Sequence, residues 1–318
     1  MNRIGIVGSI NTDIVCKTNV IPVIGETVTG EDFMISFGGK GANEAVASAR
    51  LGASTNLLAC VGDDMFSANA LANLQKEGVH ITAVKQIKGA SGGIANITVC
   101  NGNNSIIVIP GANELLDTAY VKKFKSRILE CSIVGGQFEI PVQSLNMVSE
   151  ICKTNNIKFV LNPSPIKEYP SSLFDTATFV IVNEIEIKEI KGYNPSKPYD
   201  VLHLYPNKLI VTQGGDGVFY SDGTKIINIP AIDVKVVDTT GAGDTFLGSF
   251  MVGINNGMTI HDAIYFANIC AGLKTTKLGA QTGMPKLSEV NKYIKLIVIL
   301  FIGTVSSFRR INCYSGRF

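Results

Sequence analysis

Short apolar runs rich in β-branched residues alternate with helix-patterned segments along most of this chain of 318 residues. Several of the runs are apolar at consecutive positions, which is typical of strands that are covered on both faces of a parallel sheet. The alternation therefore predicts a three-layer α/β domain with a mostly parallel central sheet. The predicted strands are Ile4–Val7, Thr55–Val61, Ser132–Gly135, Lys158–Leu161, Phe179–Val182 and Leu209–Thr212. The predicted helices are Ala42–Leu51, Ser67–Lys76, Val142–Lys153 and His261–Thr275.

Part of the N-terminal half departs from this alternation. Ile94–Val99 and Ile106–Ile109 flank Asn101-Gly-Asn-Asn104, whose glycine and asparagines favour a tight hairpin turn. Together with Val28–Phe37 they predict a small antiparallel β sheet beside the main one, with segments at about 12–37 and 92–110. This sheet could be a lid over a ligand, a dimer interface or a hairpin without a functional role.

Composition argues against several classes of protein. A hydrophobic fraction of 46% with only 17% charged residues indicates a globular chain rather than a disordered one. Lys and Arg number 28 against 26 acidic residues and form no basic stripe, so no nucleic-acid partner is expected. The three histidines lie near no cysteine or acid at ligand spacing, which argues against zinc.

The cysteines and the apolar segments predict a cytoplasmic protein without a membrane anchor. Seven cysteines are scattered without a CxxC pair, and no secretory leader is visible, so reduced thiols in a cytoplasm are expected. Leu296–Val305 is an apolar run of ten residues, whereas a membrane span needs about 20. The run is therefore interpreted as a buried helix or strand.

The stretch Val237–Phe246, VDTTGAGDTF, leads into a predicted helix in which Phe246 and Phe250 recur at helical spacing and which Gly257 ends. Free backbone N–H groups at a helix N-terminus attract anions, so Gly241–Asp244 is a candidate phosphate loop. It matches neither GxxxxGK[ST] nor GxGxxG. The alternative is an aspartate that caps the helix after a glycine turn.

Two further polar clusters lie at positions that suit ligand binding. Gly8–Asp13 (GSINTD) follows the first predicted strand, where Asn11 and Asp13 can hydrogen-bond substrate hydroxyls or form an Asx turn. Phe37–Asn43 (FGGKGAN) opens the next predicted helix, and its glycines around Lys40 suit a loop that closely approaches a polyol. A plain loop-to-helix turn would also tolerate this lysine.

The chain resembles the PfkB-type carbohydrate kinases from about Arg3 to about Ile294. The resemblance is carried by ten motifs in the family's order: GSINTD, GGKGANEAVASARLGA, VGDD, IPGAN, QFEIP, LNPSP, VNEIE, VTQGGDGV, VDTTGAGDTF and LGAQTGMP. GSINTD, GGKGAN and QFEIP are more similar to the ribokinase branch than to fructokinases or adenosine kinases. The resemblance implies a single ribokinase-like αβα kinase domain at residues 1–294 with a β lid, and it offers no counterpart for residues 295–318.

The resemblance also implies roles for the polar residues. Asp244 would be the general base, with the backbone N–H groups of Gly241, Ala242 and Gly243 beside it as an anion hole. The implied sugar site comprises Asn11, Asp13, Gly39, Lys40, Asn43 and Glu139. The implied ATP site comprises Asn183, Thr212, Gly214, Gly215, Gly217, Gly243 and Asn268.

Two cation sites are implied in the same way. Glu186, at the end of the NxxE pattern, would hold Mg²⁺ through water. The K⁺ site would be formed, partly by backbone carbonyls, at Asp238, Thr240, Lys274, Lys277, Gly279 and Gly283. Gly283 stands where family members often have serine; a carbonyl ligand survives that change, whereas a hydroxyl ligand does not.

The function that this resemblance predicts is ATP-dependent phosphorylation of D-ribose to D-ribose 5-phosphate. The alternatives are a related kinase for deoxyribose, fructose or a nucleoside, or a sugar-binding homologue without catalysis. Because the predicted lid carries apolar residues on both faces, and the family's lids pair between subunits, a homodimer through the lid is expected.

Overall fold

The computed structural model describes residues 3–101 and 103–302, and it describes side chains up to residue 296. The strands are β1 Arg3–Val7, β2 Asn11–Thr18, β3 Asp32–Gly38, β4 Thr55–Val61, β5 His80–Gln86, β6 Gly93–Cys100, β7 Asn103–Ile109, β8 Cys131–Gln137, β9 Lys158–Asn162, β10 Phe179–Asn183, β11 Leu209–Thr212, β12 Val218–Ser221 and β13 Ile226–Ile229. The α-helices are α1 Lys40–Arg50, α2 Met65–Lys76, α3 Thr118–Lys123, α4 Lys125–Leu129, α5 Val142–Thr154, α6 Ser171–Thr176, α7 Ala242–Asn255, α8 Ile260–Thr275, α9 Ala280–Gly283 and α10 Leu287–Ile302.

A nine-stranded sheet in the order β13-β12-β11-β10-β9-β8-β1-β4-β5 forms the middle layer. The strands from β11 to β5 in this order pair in parallel, and β12 and β13 add an antiparallel edge. Strand β4, next to the edge strand β5, is buried at every position, as its mostly apolar sequence predicts. The predicted parallel sheet is therefore confirmed.

Helices cover both faces of this sheet, so the predicted three-layer architecture is also confirmed. One hydrophobic core joins the sheet to α1, α2, α7 and α8, and a second core joins the opposite face to α3, α4, α5 and α6. In α7, Phe246 and Phe250 are buried in the first of these cores, and Phe250 meets Phe179 of β10 edge to face. This packing fixes the N-terminal end of α7 above the carboxyl ends of the parallel strands.

A separate four-stranded sheet in the order β3-β2-β6-β7 lies beside the main body, and it is called the lid below. The β6–β7 hairpin turns at Asn101, which adopts the left-handed conformation (φ 51°), as the asparagine-rich turn predicts. The outer pairs β2–β3 and β6–β7 are antiparallel, while the central pair β2–β6 is parallel. Strand β3 begins at Asp32, four residues later than predicted, because residues 28–31 form an extended connection.

The C-terminal helix α10 continues beyond Ile294, so the predicted domain end lies inside a helix. The apolar run from Leu296 is helical as far as Ile302, and residues 303–305 of the run lie outside the described residues. The division of the chain at residue 294 stays a prediction. Among the described helices, none combines the length and the apolar character that a membrane crossing requires.

Candidate active site

The N-terminal end of α7 presents free backbone donors beside a buried carboxylate. Gly241 adopts the left-handed conformation (φ 75°) and turns the chain into the helix, which begins at Ala242. Within the described part of the chain, the N–H groups of Gly243 and Asp244 have no protein acceptor, while the N–H of Ala242 donates to the carbonyl of Thr239. Of the three predicted anion-hole donors, the N–H groups of Gly241 and Gly243 have no acceptor among the described residues and that of Ala242 is already bonded, while the N–H of Asp244 is a further free donor.

The carboxylate of Asp244 is held by a chain of amides. Asn43 Nδ2 donates to Asp244 Oδ2 at 2.7 Å, and Gln281 Nε2 donates to Asn43 Oδ1 at 3.0 Å. Asn73 in turn donates to Gln281. The Asn43 amide therefore orients the Asp244 carboxylate, and its predicted contact with the sugar stays a prediction. The other oxygen, Oδ1, has no protein donor among the described residues and is open to a substrate proton.

Lys40 is the cation of this site. Its ammonium lies 4.0 Å from Asp244 Oδ1, and its side chain is only partly exposed. Burial alone would lower the pKa of Lys40, but the charges of Asp244, Glu139, Glu186 and Glu44 outweigh it and raise the pKa. Lys40 therefore remains an ammonium ion that balances a cluster of carboxylates.

The loop that carries Lys40 is tied to the end of β8 through Glu139. Glu139 Oε2 accepts a hydrogen bond from the hydroxyl of Ser9 and another from the backbone N–H of Lys40 at 3.0 Å. Gly39 permits this approach because its φ is 86° and a Cβ there would lie 2.7 Å from the backbone nitrogen of Asn11. Glu139, predicted to contact sugar, thus also fixes the position of Lys40.

Asn11 and Asp13 both lie at the beginning of strand β2 of the lid, where Asn11 is buried and Asp13 is half-buried. Asn113 donates to Asn11 Oδ1 at 2.7 Å and accepts from the backbone N–H of Ile10, so Asn11 has a fixed orientation. Burial raises the pKa of Asp13 to about 6, and the negative charges of Glu139 and Asp244 add to this effect. The carboxylates of Asp13, Glu139 and Asp244 therefore lie close enough for their charges to interact.

A further carboxyl group, that of Glu44, has no exposure to solvent. Gln137 Nε2 donates to Glu44 Oε2, while Glu44 Oε1 and Gln137 Oε1 have no partner among the described residues. A protonated Glu44 can donate its hydroxyl to the amide oxygen and close an acid–amide pair. Burial and, after it, the charge of Asp244 raise the pKa of Glu44 well above its ordinary value, which favours this neutral form.

Replacing Glu44 with glutamine is expected to flatten the pH dependence of stability. The unfolded chain loses the Glu44 proton near pH 4.5 whereas the folded protein keeps it, so the wild type loses stability as pH rises above that value, at up to about 1.4 kcal/mol per pH unit for one proton. The variant has no proton to lose. Denaturant unfolding from about pH 5 to pH 8 measures this difference, and Glu150→Gln on the exposed face of α5 is the control. Parallel wild-type and Glu44→Gln curves would show that Glu44 ionises normally.

Most of the predicted nucleotide residues lie at the ends of the neighbouring strands β10 and β11 and in the turn before β12. Asn183 and Glu186 bond reciprocally: Asn183 donates through its backbone N–H and its Nδ2 to the carboxylate, at 3.0 Å each, while its Oδ1 accepts from the backbone N–H of Glu186. Thr212 and the glycines Gly214, Gly215 and Gly217 form the next turn, and around Gly215 the structure leaves open space. The pattern NxxE thus forms a hydrogen-bonded turn after β10, and the negative charge of Glu186 is among those that raise the pKa of Lys40.

Asn268 has a different environment from the one predicted. Its Nδ2 donates to the carbonyl of Pro230 at 2.7 Å, so it ties α8 to the segment after β13. Its direct contact with a nucleotide stays a prediction, and the contact that the structure describes is structural.

The residues predicted to form the K⁺ site also converge. Asp238 Oδ1 accepts from the N–H and the hydroxyl of Thr240, and Oδ2 accepts from the N–H of Gly279 at 2.8 Å. Burial opposes ionisation of Asp238, but these hydrogen bonds and the charge of Lys274 lower its pKa. Gly283 is buried next to Lys274, whereas the Lys277 side chain points away and pairs with Glu289. The observed centre of this cluster is the ammonium group of Lys274, which donates to the carbonyl of Asp238 at 2.8 Å.

Comparison with known proteins decides the family. A family model described as pfkB family carbohydrate kinase matches residues 1–287. The chain belongs to the PfkB family. Among relatives of this PfkB chain, a ribokinase of Lactococcus lactis is 41% identical over 94% of the chain and 99% of its own length, and a ribokinase of Bacillus subtilis is 38% identical over 92% and 100%. A solved structure of Arabidopsis thaliana ribokinase complexed with ribose and ATP has 28% identity and a TM-score of 0.85, and the match covers 92% of the chain and 99% of that structure.

The PfkB kinase also contains supporting residues that sequence reasoning did not single out. Asn113 orients Asn11, Gln281 orients Asn43, and Ser9 holds Glu139. Asn113 lies in the motif IPGAN and Gln281 in LGAQTGMP, so the motifs pointed to the right segments without separating side chains that face ligands from those that hold other side chains.

Proposed function

We propose that this carbohydrate kinase transfers the γ-phosphoryl group of ATP to D-ribose and forms D-ribose 5-phosphate. The observation that carries the proposal is the position of Asp244: its free oxygen lies 4.0 Å from the Lys40 ammonium, at the open N-terminal end of α7. The relatives named ribokinase, and the similarity to a ribokinase structure holding ribose and ATP, support ribose as the acceptor.

In this mechanism Asp244 accepts the proton of the primary hydroxyl of the sugar as that oxygen attacks. Asn43 holds Oδ2, so Oδ1 is left to take the proton. The N–H groups of Gly243 and Asp244 donate to the oxygens of the phosphoryl group, and the positive end of α7 stabilises their charge. Phosphoryl transfer depends mainly on such positioning and charge compensation, which the chain's own groups supply in large part.

On the sugar side, Asp13 and Glu139 accept hydrogen bonds from hydroxyl groups, while Asn11 has an orientation that Asn113 fixes. The Lys40 ammonium lies 4.0 Å from Asp244 Oδ1, and it compensates the negative charges of Asp244 and Glu139, which raise its pKa. Binding of the sugar in this arrangement brings one hydroxyl to Asp244 and excludes bulk water when the lid covers it.

Magnesium fits this arrangement as a partner of the nucleotide. The described residues contain no cluster of three or more His, Cys, Asp or Glu side chains that could hold a metal by themselves. Glu186 is buried, its negative charge acts on Lys40, and its carboxylate retains acceptor capacity beyond the two bonds from Asn183 for a water of Mg²⁺. The ion would supply charge neutralisation on the phosphates. The predicted K⁺ requirement does not enter this proposal, because the Lys274 ammonium lies among the residues predicted to bind that ion.

A panel of acceptors at fixed ATP tests the proposal. ADP release is measured with ribose, 2-deoxyribose, fructose and adenosine, and ribose is expected to give the highest kcat/KM. A higher value for another acceptor would assign the kinase to that substrate. No ADP release with any sugar would instead favour a binding protein that has lost catalysis.

We further propose that the kinase is a homodimer that pairs through its lids. The lid exposes large apolar side chains on β3 and β7, including Phe33 at 68% and Ile107 at 63% exposure, which a lone soluble sheet edge normally avoids. A second copy covering these strands removes this area from water.

We also propose that the kinase is located in the cytoplasm, because the six cysteines in the described residues are free thiols.

Replacing Ile107 with aspartate is expected to convert the dimer to a monomer, because each subunit would bury a charge in an apolar interface. Light scattering at micromolar concentration measures the mass. Asn228→Asp, at an exposed position of the edge strand β13 of the main sheet and outside the lid, is the control for charge alone. A wild-type protein of monomer mass at the same concentration would contradict the dimer.

A further inference from the structure

The segment Asp238–Gly241 connects the described core to the anion-binding end of α7, and its position depends on the Asp238 carboxylate. That carboxylate accepts three hydrogen bonds, from the N–H and hydroxyl of Thr240 and from the N–H of Gly279. The backbone N–H of Asp238 also donates to the carbonyl of Thr275, at the end of α8. Asp238 thereby ties the loop to the end of α8 and to the start of α9, and the negative charge of its carboxylate must be compensated.

The compensating charge is a side chain of the protein. Lys274, in the last turn of α8, is completely buried, and its ammonium donates to the Asp238 carbonyl at 2.8 Å. The same nitrogen lies 3.9 Å from Asp238 Oδ2. A single ammonium thus sits between the carbonyl and the carboxylate of one residue, where an oxygen-ligated monovalent cation would otherwise be held. Burial lowers the pKa of Lys274, and the charges of Asp238 and Asp244 counteract this by favouring its ionised form.

The absence of a side chain at Gly283 leaves room for the side chain of Lys274. A Cβ at position 283 would lie 3.1 Å from Lys274 Cε and 3.2 and 3.3 Å from the carbonyls of Lys277 and Lys274. A serine would press on the lysine stem, so a hydroxyl ligand at position 283 and the observed lysine side chain compete for the same space. A second cation beside the ammonium would also be repelled by it.

We propose that the Lys274 ammonium takes the place of the monovalent cation predicted from the sequence, so that this kinase holds the loop before α7 with its own side chain and works without potassium. Lys274 is then a positioning residue: it acts through Asp238 on the N–H groups of Gly243 and Asp244 and does not touch the substrate.

The first test uses the unmodified protein. Its turnover is measured while KCl is replaced by tetramethylammonium chloride at constant ionic strength, a cation too large for the site. Turnover and the midpoint of thermal unfolding are expected to stay constant, with kcat changing by less than about twofold, since an ion without a site adds no stabilisation. Saturable activation by K⁺, or a Rb⁺ anomalous peak beside Asp238 in crystals of the unmodified protein, would overturn the proposal.

The second test removes the Lys274 ammonium from its place beside Asp238. Lys274→Ala is expected to lower kcat by about tenfold or more in tetramethylammonium, because a hydrogen bond from a charged group is lost. K⁺ or NH₄⁺ is expected to restore part of the activity and to raise the unfolding midpoint of this variant, more strongly in Lys274→Ala/Gly283→Ser, which regains a hydroxyl ligand. Lys153→Ala, in the last turn of α5 and exposed, is the control.

The unfolding readout needs no turnover, so it separates a wrong assignment of the sugar from a wrong role for Lys274. A Lys274→Ala protein that is fully active and indifferent to K⁺ would contradict the positioning role. If the variant does not fold, the response of the unmodified protein to K⁺ still decides between a built-in ammonium and a bound ion.

Discussion

Replacing Asp244 with asparagine is expected to lower kcat by about 10²- to 10⁴-fold, the usual effect of losing a general base. Asparagine keeps the size of the side chain and can still accept the hydrogen bond from Asn43, but its amide cannot take the proton of the attacking hydroxyl. The affinities for ATP and sugar are expected to change little, because the anion hole uses backbone N–H groups. Steady-state turnover and equilibrium binding of both ligands separate the two effects.

Asp262→Asn is the matched control, because Asp262 also lies in the first turn of a helix, α8, but is exposed and away from the acid cluster. It is expected to turn over like the wild type. If Asp244→Asn kept a near-wild-type rate, Asp244 would be only a helix-end residue, which is the alternative that its sequence context left open.

Replacing Asp13 with asparagine is expected to raise KM for ribose by about 10- to 100-fold, because a hydrogen bond to a charged acceptor is lost. The pH dependence is a second readout. Burial and the nearby charges raise the pKa of Asp13 to about 6, so its carboxylate becomes protonated as pH falls below that value and sugar affinity falls with it. In Asp13→Asn this part of the pH dependence is expected to disappear.

Asp32→Asn provides the control, since Asp32 lies in the adjacent lid strand and is exposed. An Asp13→Asn enzyme with unchanged KM, or with the same acid limb as the wild type, would place Asp13 outside the sugar site and leave Glu139 as the main carboxylate acceptor.

The main body of the fold follows from the sequence because its strands are buried on both faces. In runs such as Thr55–Val61, side chains on both faces of the strand are buried, and a parallel sheet between two helical layers covers both faces. Strand β2 falls within the predicted lid segment at about 12–37, but no separate strand was predicted there, because NTDIVCKT begins with an asparagine and an aspartate that are typical of turns. Its strand conformation comes from pairing with β3 and β6, which are distant in the sequence.

The site could be predicted at the level of motifs and only partly at the level of side chains. The motifs did not predict the pairing of Asp244 with Lys40, which arises because α7 and α1 begin next to each other, with the ammonium 4.0 Å from the carboxylate. The hydrogen bond from Asn43 to Asp244 could not be predicted, because the Asn43 side chain is oriented by Gln281, more than 200 positions away in the chain. The contact of the Lys274 ammonium with Asp238 could not be predicted from the sequence for a similar reason, because the position of this side chain depends on the space that Gly283 leaves.

The central claim is that the chain phosphorylates the primary hydroxyl of ribose at the expense of ATP. ³¹P NMR of a reaction with ribose, ATP and Mg²⁺ tests it most directly, because it identifies the product as well as its formation. The account predicts loss of the γ-phosphate resonance of ATP with matching growth of the ribose 5-phosphate signal, and neither change with Asp244→Asn on the same time scale. Phosphate at another position of the sugar, or ATP breakdown to inorganic phosphate alone, would contradict it.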